Sequence, residues 1–165
     1  MGWVEQVEIL DERGAVVDVV GRDVMRAENL RHRAVYVAVL DHDCVLVHQR
    51  ASWKDVWPSR WDVAFGGVCN VGERWSDAAI RELAEEAGVF VAESELVDLG
   101  DHRFESDQVR VVGRVYAVQH TGPFTSSDGE VQQMGWVDLA DLETWLTTHD
   151  VCDDSIEVVV APLLQ

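Results

Sequence analysis

Lysine occurs once in this sequence, as Lys54, and only 13 basic residues stand against 31 acidic ones, for a formal net charge of −18. A surface so short of positive charge argues against unassisted binding to a nucleic acid polymer or an anionic membrane, because both require clustered Lys and Arg against phosphate. Cysteine is scarce as well. Cys44, Cys69 and Cys152 are unevenly spaced and form no CxxC pair, which excludes a disulfide frame or a paired-thiol zinc site and suits reduced thiols in a cytoplasmic protein. The chain lacks any run of about 18 apolar residues, so no segment reads as a membrane-spanning helix. Its first 30 residues carry Glu5, Glu8, Asp11 and Glu12 and no long apolar stretch, so they do not read as a signal peptide. Internal repeats, linkers and low-complexity segments are absent too.

What is present suffices for a core. A chain of 165 residues that is 47% hydrophobic has the size and apolar content of one domain, with residues 1–30 as an accessory N-terminal hairpin. Val4 to Leu10 and Ala15 to Val20 are β-rich runs around the turn signal Asp11-Glu12-Arg13-Gly14. Residues 22–31 are charged and have no clear period. Arg33 to Leu40 and Cys44 to Gln49 predict a second hairpin, the first of these runs being apolar enough for a central strand. Residues 50–61 form a loop with three tryptophans and the bases Arg50, Lys54 and Arg60, and Asp62 to Phe65 follows as a strand. Later, Glu95 to Phe104 and Gln108 to Gln119 predict two antiparallel strands. A long Gly/Ser/Pro loop over 121–129 then leads to a strand at Glu130 to Val137 and a helix capped by Asp138. For residues 154–164 a last helix and an irregular tail both stay open, because Ile156 to Val160 is β-branched. Strands on both sides of an amphipathic helix, with another helix late, predict an α/β protein with a mixed sheet covered by helices.

That amphipathic helix lies in Gly66 to Val89, which reads GGVCNVGERWSDAAIRELAEEAGV. At about 100° per residue, Glu82, Glu85 and Glu86 share one side, and Ile80, Leu83, Ala84 and Ala87 form the stripe that docks on a sheet. Ser76 is the expected N-cap, and Gly88 the expected left-handed residue that ends the helix. Carboxylates at these spacings weaken a helix, so the face is either solvated or a site for a hard cation. Oxygen-only donors favour Mg²⁺ or Mn²⁺.

The surrounding positions decide between the two. Gly67, Glu73, Arg81-Glu82-Leu83, Glu85-Glu86 and Gly88-Val89 stand at the spacing of the Nudix box, and the stretch resembles that box at every defined position. The resemblance to the Nudix hydrolases implies an α/β/α sandwich with a mixed sheet. It also implies that Glu82, Glu85 and Glu86, with the carbonyl of Gly67, hold Mg²⁺ or Mn²⁺. Glu73 and Arg81 would form a structural pair that fixes the glutamates. A diphosphate brings negative charge to an acidic site, which bridging metal ions make favourable.

His32-Arg33-Ala34, Gln49-Arg50-Ala51, Lys54, Trp57-Pro58 and Trp61 are similar to the branch of the family that contains isopentenyl-diphosphate isomerase. In that branch the positions of Arg50 and Lys54 contact the substrate diphosphate, and the position of His32 binds metal. The catalytic Cys-Gly-His of the isomerase is replaced here by Gly66-Gly67-Val68, while all three box glutamates are kept. The expected function is therefore a diphosphate hydrolase, with His32 a structural histidine and Arg50 and Lys54 as substrate-binding residues. The expected catalytic set is Glu82, Glu86, Arg81 and Glu130. Either Glu82 or Glu130 can serve as general base, the latter because it closes the long loop. An isomerase-like enzyme and a non-catalytic ligand-binding module are the rival readings. Trp53, Trp57 and Trp75 suit a stacked nucleobase, a prenyl pocket or the core. The expected partner is a small phosphorylated substrate, and a homodimer through the N-terminal hairpin stays open.

Overall fold

Asp11 makes the first turn, its Oδ1 accepting hydrogen bonds from the N–H groups of Arg13 and Ala15 at 2.8 and 2.9 Å. Gly14, at φ 84°, completes it in a left-handed conformation that suits glycine. In the computed structural model, which describes residues 3–165, this turn joins β1 (Gln6–Leu10) to β2 (Val16–Gly21). The charged stretch without a clear period contains a short helix, α1 (Arg22–Ala27), anchored by the buried Met25. Six residues are too few for an apolar period to be read.

β3 (His32–Asp41) and β4 (Cys44–Arg50) form the expected hairpin, but they pair only near its turn. Beyond Leu40 and Val45 the two strands part. β3 pairs along nine residues with β8 (Arg110–Gln119) in parallel, and its other edge takes β6 (Phe65–Val68) antiparallel. β4 pairs instead with β5 (Trp61–Asp62) and β9 (Val131–Asp138). β7 (Val97–Glu105) is antiparallel to β8, as the sequence predicts. The result is a mixed nine-stranded sheet, open between β3 and β4.

Alternation along β3 splits the core in two. Val35, Val37 and Val39 point to α2 (Trp75–Ala87), where they meet Ala78, Ala79, Leu83 and Ala87. Ala34, Tyr36 and Ala38 point to the opposite face, covered by α3 (Leu142–Thr148) and the terminal helix α4. That period of two is what places helices on both sides of one sheet. α4 runs through α-helical Asp153–Ser155, π-helical Ile156–Val160 and α-helical Ala161–Leu164. Its β-branched run is helical because Val158, Val159 and Val160 are all buried. The looser π winding brings consecutive residues closer to one side. Asp138 caps the turn before α3, accepting from Ala140 N–H at 2.9 Å. Among the described residues, no helix is long and apolar enough to cross a membrane.

One end of α2 differs from expectation. The helix begins at Trp75 with Arg74 in the cap position, and Ser76 lies inside the first turn. The Ser76 hydroxyl donates to Glu93 at 2.8 Å instead of capping, so a tertiary partner has displaced the local one. The other end is as expected: Gly88 has φ 68° and its N–H donates to Ala84 O at 3.1 Å.

Candidate active site

Two glycines of β6 set the distance between sheet and helix. A Cβ on Gly66 would stand 1.8 Å from the carbonyl oxygen of Val35, and one on Gly67 would stand 2.6 Å from Glu82 Oε1. With both side chains absent, α2 lays Glu82 and Glu86 directly against strand backbone. Glu86 Oε2 accepts from Gly66 N–H at 3.1 Å. Both carboxylates are buried, while Glu85 is exposed.

Arg81 organises this face. Its Nε and Nη2 donate to the two oxygens of Glu73, each at 2.9 Å, in a bidentate pair. Nη1 donates to Glu82 at 2.8 Å and to Glu85 at 3.5 Å, and Nη2 also reaches Val68 O at 3.3 Å. Glu73 is fixed in turn by the N–H of Asn70 at 2.9 Å. Burial alone would raise Glu73, but Arg81 and the Asn70 N–H together hold it below the ordinary glutamate value.

The long loop closes the other side. Thr125 N–H donates to Ala87 O at 2.9 Å and the Ser127 hydroxyl to Glu85 O at 3.1 Å. These bonds satisfy carbonyls that the last turn of α2 would otherwise leave open. The loop thereby delivers Glu130 to the acidic face. Ala51 N–H donates to Glu130 O at 2.8 Å, and Lys54 Nζ stands 2.9 Å from Glu130 Oε2. Arg50 donates through Nε and Nη2 to Val56 O at 3.2 and 3.0 Å, so part of its guanidinium braces the loop over 50–61.

Charge is crowded here. Burial pushes Glu82 up to about 7, with Glu85 and Glu130 adding to the shift and Arg81 opposing it. Glu86 is raised well above its ordinary value by burial and then by Glu82; Lys54 and the Gly66 N–H act against this. Among the described residues, no three His, Cys, Asp or Glu side chains are already drawn together as a closed metal cage. The oxygen donors nevertheless fit a hard divalent cation: two buried carboxylates and a third one turn away, with Arg81 engaging Glu82 and Glu85 from one side. Cys69 is buried and its thiol is pushed up to about 12 by burial, which does not suit a nucleophile. Among the loop and box tryptophans, Trp57 is buried, Trp75 lies under the Arg33 guanidinium at 4.8 Å, and Trp53 is 63% exposed beside Lys54.

Sequence reasoning missed Arg22 and Arg26 of α1. Both line a cavity behind β6 that also contains His32, Arg50 and Lys54. His32 is buried there, its Nδ1 3.0 Å from Leu30 O. Nothing in residues 22–31 signalled that a helix would turn these arginines inward.

A mixed sheet between helices, with a glutamate-rich helix face packed on a Gly-Gly strand, defines the Nudix fold. The family model for the NUDIX domain matches residues 30–156. An uncharacterised Nudix hydrolase of Yersinia pestis is 36% identical over 135 residues, covering 81% of this chain and 73% of that protein. The crystal structure of DR0079 from Deinococcus radiodurans superposes with a TM-score of 0.75 at 21% identity, over 91% of this chain and 94% of that one. A bifunctional NMN adenylyltransferase/ADP-ribose pyrophosphatase of Francisella tularensis, solved with AMP and a manganese ion, superposes with a TM-score of 0.62. Its identity is 20%, and the match covers 80% of this chain and 40% of that one. This chain belongs to the Nudix hydrolase family, whose reaction is diphosphate hydrolysis.

Proposed function

We propose that this chain is a metal-dependent hydrolase that cleaves the diphosphate bond of a nucleoside diphosphate-linked or similar small compound. In this reading Glu82, Glu85, Glu86 and the Gly67 carbonyl hold Mg²⁺ or Mn²⁺. The observation that carries it is the burial of Glu82 and Glu86 side by side against β6, with Glu130 close enough to raise both. Such crowding is unfavourable alone and becomes favourable once a divalent cation is bound. The manganese in the Francisella relative supports the same cofactor class.

A bound Mg²⁺ or Mn²⁺ would lower the pKa of a water and neutralise charge on the phosphates. Arg81 keeps Glu82 and Glu85 in fixed orientations, and Glu73 holds Arg81. Arg50 and Lys54 bind the phosphate that is not attacked, Arg by directional donors and Lys as a point charge. A carboxylate takes the proton of the attacking water. Glu82 and Glu130 are the two candidates, and Glu130 is the one outside the proposed ligand set. The isomerase-like alternative would need a thiol at the position where this chain has Gly66. Three free cysteines agree with a cytoplasmic setting.

The test is a panel of nucleoside di- and triphosphates, nucleotide sugars and prenyl diphosphates, incubated with Mg²⁺, Mn²⁺ or EDTA and assayed for released phosphate and nucleotide. Cleavage of one class that needs metal is the expected result. No cleavage of any compound by folded, metal-loaded protein would contradict the reading.

A further inference from the structure

The cavity behind β6 is lined by carboxylates as well as bases. Asp62 of β5 and Asp154 of the first turn of α4 both face it, together with Tyr36 of β3. One network joins them. The Tyr36 hydroxyl donates to Asp154 Oδ2 at 2.7 Å, and Ser155 N–H donates to Asp154 Oδ1 at 2.8 Å. Asp62 Oδ1 accepts from the Ser155 hydroxyl at 2.5 Å and from Ala64 N–H at 3.1 Å. Gly113 leaves room for the tyrosine, because a Cβ there would stand 2.6 Å from Tyr36 Cε2. These bonds hold α4 against the sheet, but that role uses only one oxygen of Asp62.

The other oxygen has no structural role. Asp62 is 8% exposed, yet among the described residues its Oδ2 accepts no hydrogen bond from protein. Neither Asp62 nor Asp154 has an ion pair among those residues; the nearby Arg60 goes to Asp150 and Asp153 instead, at 3.4 and 3.2 Å. Nor is Oδ2 sealed in the core. Among the described residues, the buried side-chain polar atoms that lack a partner are Arg26 Nε and His48 Nδ1, so Oδ2 opens into the cavity that Asp62 lines. Burial and then Asp62 push Asp154 up to about 6, with the Tyr36 hydroxyl and Ser155 N–H opposing. The floor of the cavity thus presents an acceptor that the protein leaves free.

We propose that Asp62 and Asp154 form a hydroxyl-reading subsite for the organic part of the substrate, so that the chain acts on sugar-bearing diphosphates in preference to prenyl diphosphates. The subsite rests on the hydrolase reading above, with Arg50 and Lys54 as phosphate contacts, and narrows its substrate class. Position supports it. Burial opposes the charge of Arg50, while Asp62, Cys152, Glu86 and Asp154, in that order, raise its pKa, so this one base feels both the floor and the carboxylate site. Gly66 and Gly67 line the cavity and also touch Glu86 and Glu82. A substrate whose phosphates meet Arg50 would extend its organic part toward Asp62. Charge selects the kind of donor. Arg22, Arg26, Arg50 and Lys54 line the same cavity as the two carboxylates, so a cationic group would meet net repulsion and a neutral hydroxyl would not. A hydroxyl satisfies Oδ2, whereas an alkenyl chain would exclude water from it and leave it unpaired.

Monophosphates separate recognition from cleavage, because they contain no diphosphate bond. Ribose 5-phosphate and isopentenyl monophosphate are titrated calorimetrically into the full chain in Mg²⁺. Wild type binds the sugar phosphate at least about tenfold more tightly. Asp62→Asn keeps an oxygen for Ser155 and Ala64 but turns a donor toward the cavity, and it removes that difference. Asp154→Asn reduces the difference several-fold. Circular dichroism checks that each variant is folded, and the second variant keeps the test decisive if the first is not. Equal binding of the two compounds by wild type, no binding of either, or an undiminished difference in folded variants overturns the subsite. In turnover with Mg²⁺, kcat/KM for nucleotide sugars exceeds that for prenyl diphosphates, and Asp62→Asn lowers it for the sugars alone. The reverse preference overturns the subsite while leaving the hydrolase reading intact. Conversely, Asp62-dependent binding of ribose 5-phosphate without cleavage of any diphosphate supports the subsite and defeats the hydrolase reading alone.

Discussion

Lys54 Nζ stands 2.9 Å from Glu130 Oε2, joining the loop after β4 to the end of the loop that docks on α2. The two residues proposed to grip the phosphate and to accept a proton therefore constrain each other. Lys54 also opposes the upward shift of Glu86, so its charge acts on both loops and on the helix.

Lys54→Ala is expected to raise KM for the diphosphate substrate about tenfold or more, the loss typical of a charged hydrogen bond. It should lower kcat as well, because Glu130 loses its partner. Steady-state kinetics decide this, and unchanged KM and kcat would remove Lys54 from the site.

Arg81→Lys keeps the charge but cannot hold Glu73 by two parallel bonds while also reaching Glu82. Metal affinity or activity should fall by about 10- to 100-fold, the range for residues that orient metal ligands. Mn²⁺ titration followed by calorimetry measures the first and turnover the second. Wild-type values for both would contradict the positioning role.

The two strand glycines make a contrasting pair. A Cβ at Gly66 would run into the backbone oxygen of Val35 at 1.8 Å, which cannot move without breaking the β3–β6 pairing. A Cβ at Gly67 would meet the Glu82 carboxylate at 2.6 Å, which can rotate away. Gly66→Ala should therefore lose much of its thermal stability. Gly67→Ala should stay folded and lose activity by about tenfold or more, since catalytic groups tolerate little displacement. Melting curves and turnover of the two variants test this directly, and equal effects of both changes on both readouts would contradict it.

Glu82 in the folded state is pushed up to about 7 from its ordinary 4.5. Between those values the folded chain binds more protons than the unfolded one, so this group costs stability as pH rises from about 4.5 to about 7. His32 and His48, both pushed down to about 4 from 6.5, act with the opposite sign: they cost stability as pH falls through the same range. The Glu82 contribution is therefore read as a difference between proteins. In EDTA, Glu82→Gln should melt a few degrees above wild type at pH 7, where the effect is on the order of 1–3 kcal/mol. The gap should close toward pH 5. A gap independent of pH would contradict the assignment.

The box region was legible because its information is local. The apolar stripe of α2, the left-handed Gly88 and the pairing of Arg81 with Glu73 all depend on residues within one loop and helix. The strands of the two later hairpins could be read from alternation and turn residues. What could not be read depends on distant contacts. Ser76 gave up its capping role to Glu93, and Ile156–Val160 became helical because the sheet buries its valines. The Lys54–Glu130 pair joins residues from separate loops, and α1 carries too few apolar residues to announce which way Arg22 and Arg26 turn.

The most direct test of the account is the rate of phosphate release from the best diphosphate substrate, followed as Mn²⁺ or Mg²⁺ is titrated into metal-free wild type and Glu86→Gln. The account predicts no release in EDTA, a saturable rise with metal in wild type, and a rate at least about 100-fold lower in folded Glu86→Gln. Release that persists in EDTA, or a Glu86→Gln rate equal to wild type, would contradict it.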